Sequence, residues 1–233
     1  MLNQNKEAKI MKKWIAWIFM ICMMGVYSFA AFGNSKTVFI EDFKDSAAAM
    51  KNLNLYPGRW EVADGILRSK NSINDDIAIF SFGDVNWKDY DVEFKIKRLE
   101  ANSKDQHFSI YVRCDKDLSG TIQEANNMSS GLRLYCRGDA VSYIEIIGKK
   151  TARSAEAIGT LSKRMEVGGK SPWSTFKVAV KGNTAAVYVD GSSICKIDNI
   201  VPSSGKLAFF VYNVKVAITD LKVTVYSTVD QTR

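Results

Sequence analysis

Two short stretches gather the side chains with the most chemistry to offer. HFSIYVRC (residues 107–114) and LRLYCR (residues 132–137) set tyrosine and arginine at alternate positions: Tyr111 and Arg113 in the first, Arg133, Tyr135 and Arg137 in the second. YIEIIGK (residues 143–149) adds Tyr143 and Glu145. Aromatic rings stack on the C–H face of a pyranose, and a guanidinium makes paired hydrogen bonds to vicinal hydroxyls or acids. The mixture therefore suits holding a saccharide. Glu145 is the one obvious acid or base among these residues, and His107, the only histidine in the chain, is an accessory catalytic candidate with no partner motif. The structural alternative is a solvated sheet face, where Tyr and Arg pair across strands to serve the sheet itself.

The stretch after Cys114 reads Asp115-Lys-Asp117-Leu-Ser119-Gly120. Alternate oxygens ahead of a glycine open a calcium loop, but an EF-hand needs a glutamate at the twelfth position, where this chain has Asn126. The acids Asp115 and Asp117 with Ser119 fit either a non-EF calcium site or an acidic turn. No cofactor is required by any motif, and calcium is the one ion this spacing admits. Cys114 and Cys136 each lie near a strand end, so they form either a bridge or two buried thiols, depending on a register that the sequence leaves open.

The elements that must position these residues are strands. DYDVEFKIKRL (residues 89–99) alternates strictly, with Val92, Phe94 and Ile96 on one side and charged residues on the other. The same period of two puts Phe108, Ile110, Val112 and Cys114 inward, leaving His107, Ser109, Tyr111 and Arg113 outward. Leu132, Leu134 and Cys136 go inward by the same rule, with Arg133, Tyr135 and Arg137 outside. In the third stretch Ile144 and Ile146 are expected inside, and Tyr143 and Glu145 outside. Hairpin turns recur at Asp64-Gly65, Gly138-Asp139, Gly182-Asn183 and Asp190-Gly191. One short helix is expected over residues 46–53. Many short strands joined by hairpins predict an all-β, two-sheet antiparallel jelly-roll sandwich.

GRWEVADGILRS (residues 58–69), WKDYDVEFKIK (87–97), FSIYVRC, WSTFKVAVKGNTAAVYVDGSSI (173–194) and SSGKLAFFVYNVKVAITDLKV (203–223) together resemble the concanavalin A-like jelly roll of the laminin-G and glucanase type. Within it they resemble the 3-keto-disaccharide hydrolase domain family, across about residues 38–226. The resemblance implies a glycoside- or disaccharide-processing activity, yet the fold also hosts lectins and adhesion modules. Glucanases of this fold alternate two or three carboxylates along one strand, so that acid and nucleophile project from one face. The corresponding strand here offers only Glu145.

The remaining features bound the setting. Lys12 and Lys13 precede an uncharged apolar run that fades into small residues by Gly33, the layout of a secretory signal with cleavage after Ala30 or Gly33. The rival is an uncleaved anchor, since the run is just long enough to span a bilayer. Residues 1–33 are thus expected to be a signal peptide, 34–226 one domain and 227–233 a polar tail, with a secreted or periplasmic destination. The formal net charge of +7 falls to about +4 without the leader, and no basic cluster tracks a phosphate backbone, which argues against nucleic acid. The expected partner is a carbohydrate or glycan, with a membrane contacted only through an uncleaved leader. The chain reads as an exported carbohydrate-binding domain that processes glycosides, or else as a non-catalytic adhesion or structural envelope module.

Overall fold

A computed structural model describes residues 35–56, 58–74, 76–101, 106–118, 130–161 and 172–226. The leader, Ser119 and the C-terminal tail lie outside the described residues. One eight-stranded sheet runs β13 (Ser192–Ile197), β12 (Thr184–Val189), β11 (Ser174–Lys181), β6 (Tyr90–Ala101), β15 (Val214–Tyr226), β4 (Ile66–Ser69) and β3 (Trp60–Ala63), with β1 (Ser35–Glu41) also paired to β15. A seven-stranded sheet runs β10 (Lys150–Thr160), β9 (Ala140–Ile147), β8 (Ser130–Arg137), β7 (His107–Cys114), β14 (Lys206–Tyr212), β5 (Ile77–Phe82) and β2 (Asn54–Leu55). All the paired strands are antiparallel, as hairpin-rich sequence requires.

Alternation builds the core. Val92, Phe94 and Ile96 of β6 and Phe176, Val178 and Val180 of β11 face Phe108, Ile110, Leu134 and Phe209 of the opposite sheet. Phe94 meets Phe209 edge-on across the sandwich at 4.7 Å between ring centroids, and Phe108 meets Phe176 in the same way at 5.5 Å. These edge-to-face pairs add specific geometry to the area they bury. The one described helix, α1 (Ser46–Asn52), starts where Asp45 accepts from the backbone N–H groups of Ala47 and Ala48, as an N-cap does.

A second apolar cluster lies on the seven-stranded sheet, away from the main core. It holds Ile77, Ile79, Tyr111, Cys114, Leu118, Ala208 and Phe210. Such a layer on the outer side of a sheet is absent from a simple sandwich with one wet face, and it forms the floor of the site described next.

Candidate functional site

Register places the site. His107 pairs with Arg137, Ser109 with Tyr135 and Tyr111 with Arg133 between β7 and β8. On the other flank β14 sets Tyr212 beside His107 and Phe210 beside Ser109, and β9 sets Ile144 beside Arg133. Residues directly opposite one another share a face. The outer face of four neighbouring strands therefore carries one continuous patch of aromatic and cationic side chains.

A cavity of about 260 Å³ opens in this patch, lined by His107, Arg133, Tyr135, Arg137, Ile144 and Tyr212. Arg133 is its centre. Its guanidinium carbon sits 5.0 Å from the Phe210 ring centroid, 5.4 Å from that of Tyr111 and 5.6 Å from that of Tyr135. Its Nε donates to the Ser109 hydroxyl at 3.1 Å and its Nη2 lies 2.7 Å from His107 Nε2. A guanidinium only donates, so His107 accepts through Nε2 in this contact. The His107 ring stacks in turn on Phe210 at 5.7 Å.

Four residues expected on the outer face, His107, Arg133, Tyr135 and Arg137, are brought together in this cavity. Tyr111 shares the face but is fully buried beneath Arg133, so it forms the floor rather than a contact surface. Burial pushes its phenol up to about 12, against the pull of Arg133. Tyr212, Ile144 and the underlying Phe210 are additions that alternation within single stretches does not supply. Tyr212 and Phe210 belong to a strand nearly a hundred residues further along the chain, and only the sheet order places them beside His107.

Arg113 is a correction. Between the pairs Tyr111–Ala208 and Cys114–Lys206, two residues, Val112 and Arg113, oppose the single Leu207. Arg113 adopts φ 54°, and this bulge reverses the alternation. Its side chain is 2 % exposed. The guanidinium donates to the carbonyls of Lys88 (2.8 Å), Gly182 (2.7 Å) and Pro202 (2.7 Å), and lies 3.5 Å from Asp89. Burial pulls its pKa below the usual arginine range, with Tyr90 and Asp89 opposing. Arg113 is a clamp on the rim, away from the cavity lining.

The same bulge separates the cysteines. Cys114 joins the outer cluster, whereas Cys136 joins the inner core opposite Phe108. Both thiols are free, as is that of Cys195. The two sulfurs lie on opposite faces of the sheet, which removes the bridge from consideration. Burial raises all three thiols, to about 11 for Cys195.

Tyr143 and Glu145 also face the other way from expectation. The Gly138-Asp139 turn pairs Arg137 with Ala140, so Leu134 falls opposite Tyr143 and Leu132 opposite Glu145. Both side chains therefore turn toward the sandwich interior, and Ile144 and Ile146 take the outer face. Glu145 is fully buried, paired with Arg153 at 2.6 Å, and accepts from the Val201 N–H at 2.6 Å. The Arg153 guanidinium also lies 5.9 Å from the Tyr143 ring. That hydrogen bond from Arg153 to Glu145 raises the arginine pKa. Glu145 anchors the 198–201 segment and is absent from the cavity.

The acidic turn holds no assembled metal site among the described residues. Asp117 accepts from the Ser81 hydroxyl at 3.0 Å and pairs with Lys206 at 2.7 Å, while Asp115 accepts from the Ser130 N–H at 3.2 Å. A cation at Asp117 would have to displace the Lys206 ammonium. No described helix is long and apolar enough to cross a membrane.

No family model matches the chain, and no curated protein matches it in sequence. Solved structures do match. The carbohydrate-binding module CBM66 from Bacillus subtilis superposes with a TM-score of 0.54 at 14 % identity, covering 76 % of this chain and 96 % of that one. The legume lectin-like domain from Entamoeba histolytica gives 0.60 at 10 %, covering 79 % and 94 %. The exoplasmic/lumenal domain of VIP36, in its Ca2+/Man-bound form, gives 0.60 at 11 %, covering 85 % and 92 %. At these identities the likeness is one of fold, and the chain folds as a concanavalin A-like jelly-roll sandwich of the kind seen in lectins and carbohydrate-binding modules.

Proposed function

We propose that this chain is an exported, non-catalytic saccharide-binding module whose ligand sits on the outer face of the seven-stranded sheet. One observation carries the reading: Tyr135 and Tyr212 line the same cavity as Arg133 and Arg137. Rings that pack on sugar C–H faces thus stand beside donors that hold hydroxyl or acidic oxygens. The volume of about 260 Å³ is below the roughly 300–1,000 Å³ of pockets for drug-sized ligands, which suits a unit such as one sugar ring. The likeness in fold to a carbohydrate-binding module and to lectin-like domains supports the same reading.

Binding is favoured over glycoside processing by the composition of the lining. Hydrolysis by the usual route needs two carboxyl groups flanking the bond, roughly 5–9.5 Å apart. The described lining holds none, and Glu145 faces the opposite side of the sheet. Export rests on the basic and apolar leader at residues 1–33. Calcium is assigned no role in this cavity, since the acids of the 115–117 turn are not among its lining residues.

Isothermal titration against a panel of mono- and oligosaccharides tests the proposal. At least one should bind, and Tyr135→Ala should weaken it tenfold or more with an unchanged unfolding midpoint. No heat with any saccharide, or full affinity in Tyr135→Ala, overturns it.

A further inference from the structure

The balance of donors and acceptors in the cavity narrows the ligand class. A neutral sugar presents hydroxyls that donate as well as accept, and sites for them offer strong acceptors in return. Here the described lining is His107, Arg133, Tyr135, Arg137, Ile144 and Tyr212, with no carboxylate and no side-chain amide. The one imidazole acceptor in view, His107 Nε2, is already engaged by Arg133.

Arg133 itself is only partly satisfied. Nε is taken by Ser109 and one Nη2 proton by His107, while Nη1 has no hydrogen-bond partner among the described residues. No carboxylate of the described residues lies within ion-pairing distance of this guanidinium, unlike Arg153, which has Glu145, or Arg113, which has Asp89. Three ring centroids lie within 5.6 Å of the Arg133 guanidinium carbon, and Nη1 is left for a ligand. A fixed guanidinium edge matches a planar carboxylate or a sulfate, both of which only accept. Arg137 lines the same cavity and adds a second positive charge.

The geometry points to an acidic saccharide as the ligand: a sugar whose carboxylate or sulfate is held by Arg133 and Arg137, with its ring against Tyr135 and Tyr212. This inference rests on the saccharide-binding reading and specifies its substrate class. The anion supplies the acceptors that the described lining lacks, and the aromatic surroundings limit screening of the charge pair.

Paired probes separate the class from the general reading. Tetragalacturonate is titrated against its methyl ester, sialyllactose against lactose, and sulfated isomaltotetraose against isomaltotetraose, the first two reporting carboxylate and the third sulfate. The acidic member of at least one pair should bind tenfold tighter or more. That preference should vanish in Arg133→Gln and shrink in Arg137→Gln, an exposed position whose change spares the floor of the site. It should fall partway in Arg133→Lys, which keeps charge without the planar fork. Lys222→Gln, exposed on the other sheet, should retain the full preference. Unfolding midpoints confirm that each variant is folded. Equal or tighter binding of the neutral members overturns the inference while leaving saccharide binding intact. So does a preference that survives Arg133→Gln, or one lost equally in Lys222→Gln, which marks diffuse attraction to a cationic protein. Binding by no member of any pair overturns both readings.

Discussion

Arg113 and Arg133 stand in similar sequence settings, each two residues from a tyrosine, yet they end in opposite environments. Arg113 is walled in by three backbone carbonyls contributed by Lys88, Gly182 and Pro202, and its charge is spent on joining connections between strands. Arg133 lies on three aromatic rings, bonded to one hydroxyl and one imidazole, with an edge left over. The difference comes from one bulged residue. Where alternation holds, the arginine reaches the outer face, and where φ turns positive it is swung into the rim. An arginine surrounded by carbonyls is structural, and an arginine whose bonds leave Nη1 over is available.

The largest effect that would break this contrast is on Arg113. Arg113→Ala strands three carbonyls and Asp89, and is expected to cost about 3–5 kcal/mol, as loss of one partner from a buried charged network does. At roughly 2–4 °C per kcal/mol for a domain of this size, the unfolding midpoint should fall by about 6–20 °C. A calorimetric midpoint within two degrees of wild type would show that the clamp is dispensable.

Gly205→Ala tests the bulge itself. Gly205 has φ +151°, and a Cβ there would run into the backbone of Arg113 and Cys114. Strain and overpacking together predict a loss of about 2–4 kcal/mol, read from urea unfolding. An unchanged urea midpoint would mean that the bulge yields easily.

Glu145→Gln should cost less, about 1–3 kcal/mol, since the carboxylate loses its charge-assisted bonds to Arg153 and Val201 while keeping one acceptor. Saccharide affinity should stay within twofold. A large drop in affinity at retained stability would return Glu145 to the site. The smallest stability effect belongs to Arg133→Gln, at most about 1 kcal/mol from lost cation–π contacts. Its consequence should appear almost wholly in ligand affinity, and this split between stability and binding is what Arg113 cannot show.

Much of the fold was legible because its rules are local. Alternation in residues 89–99 and 107–112 assigned the inner residues that the core contains, and the hairpin turns marked where strands reverse. Arg113 was illegible because nothing in VRCDKD marks a residue that will take φ 54°, and the partner glycine, Gly205, lies far along the chain. Glu145 differs. The two-residue turn at Gly138-Asp139 already sets Leu132 opposite Glu145, whereas the apolar character of Ile144 and Ile146 suggests the reverse. Those isoleucines instead line or flank an outer face that is itself apolar, an arrangement that a hydrophobic pattern cannot distinguish from a core. Tyr212 required the crossover that brings β14 beside β7, which is a property of topology rather than of any short stretch.

The aromatic content of the cavity wall has a spectroscopic consequence. It consists of tyrosine, and Trp60, Trp87 and Trp173 are all absent from the lining, with Trp60 buried in the main core. Indole emission should therefore stay nearly constant as the cavity fills, so a flat fluorescence titration would say nothing against binding. A Tyr135→Trp variant would install an emitter at the mouth and turn occupancy into an optical readout.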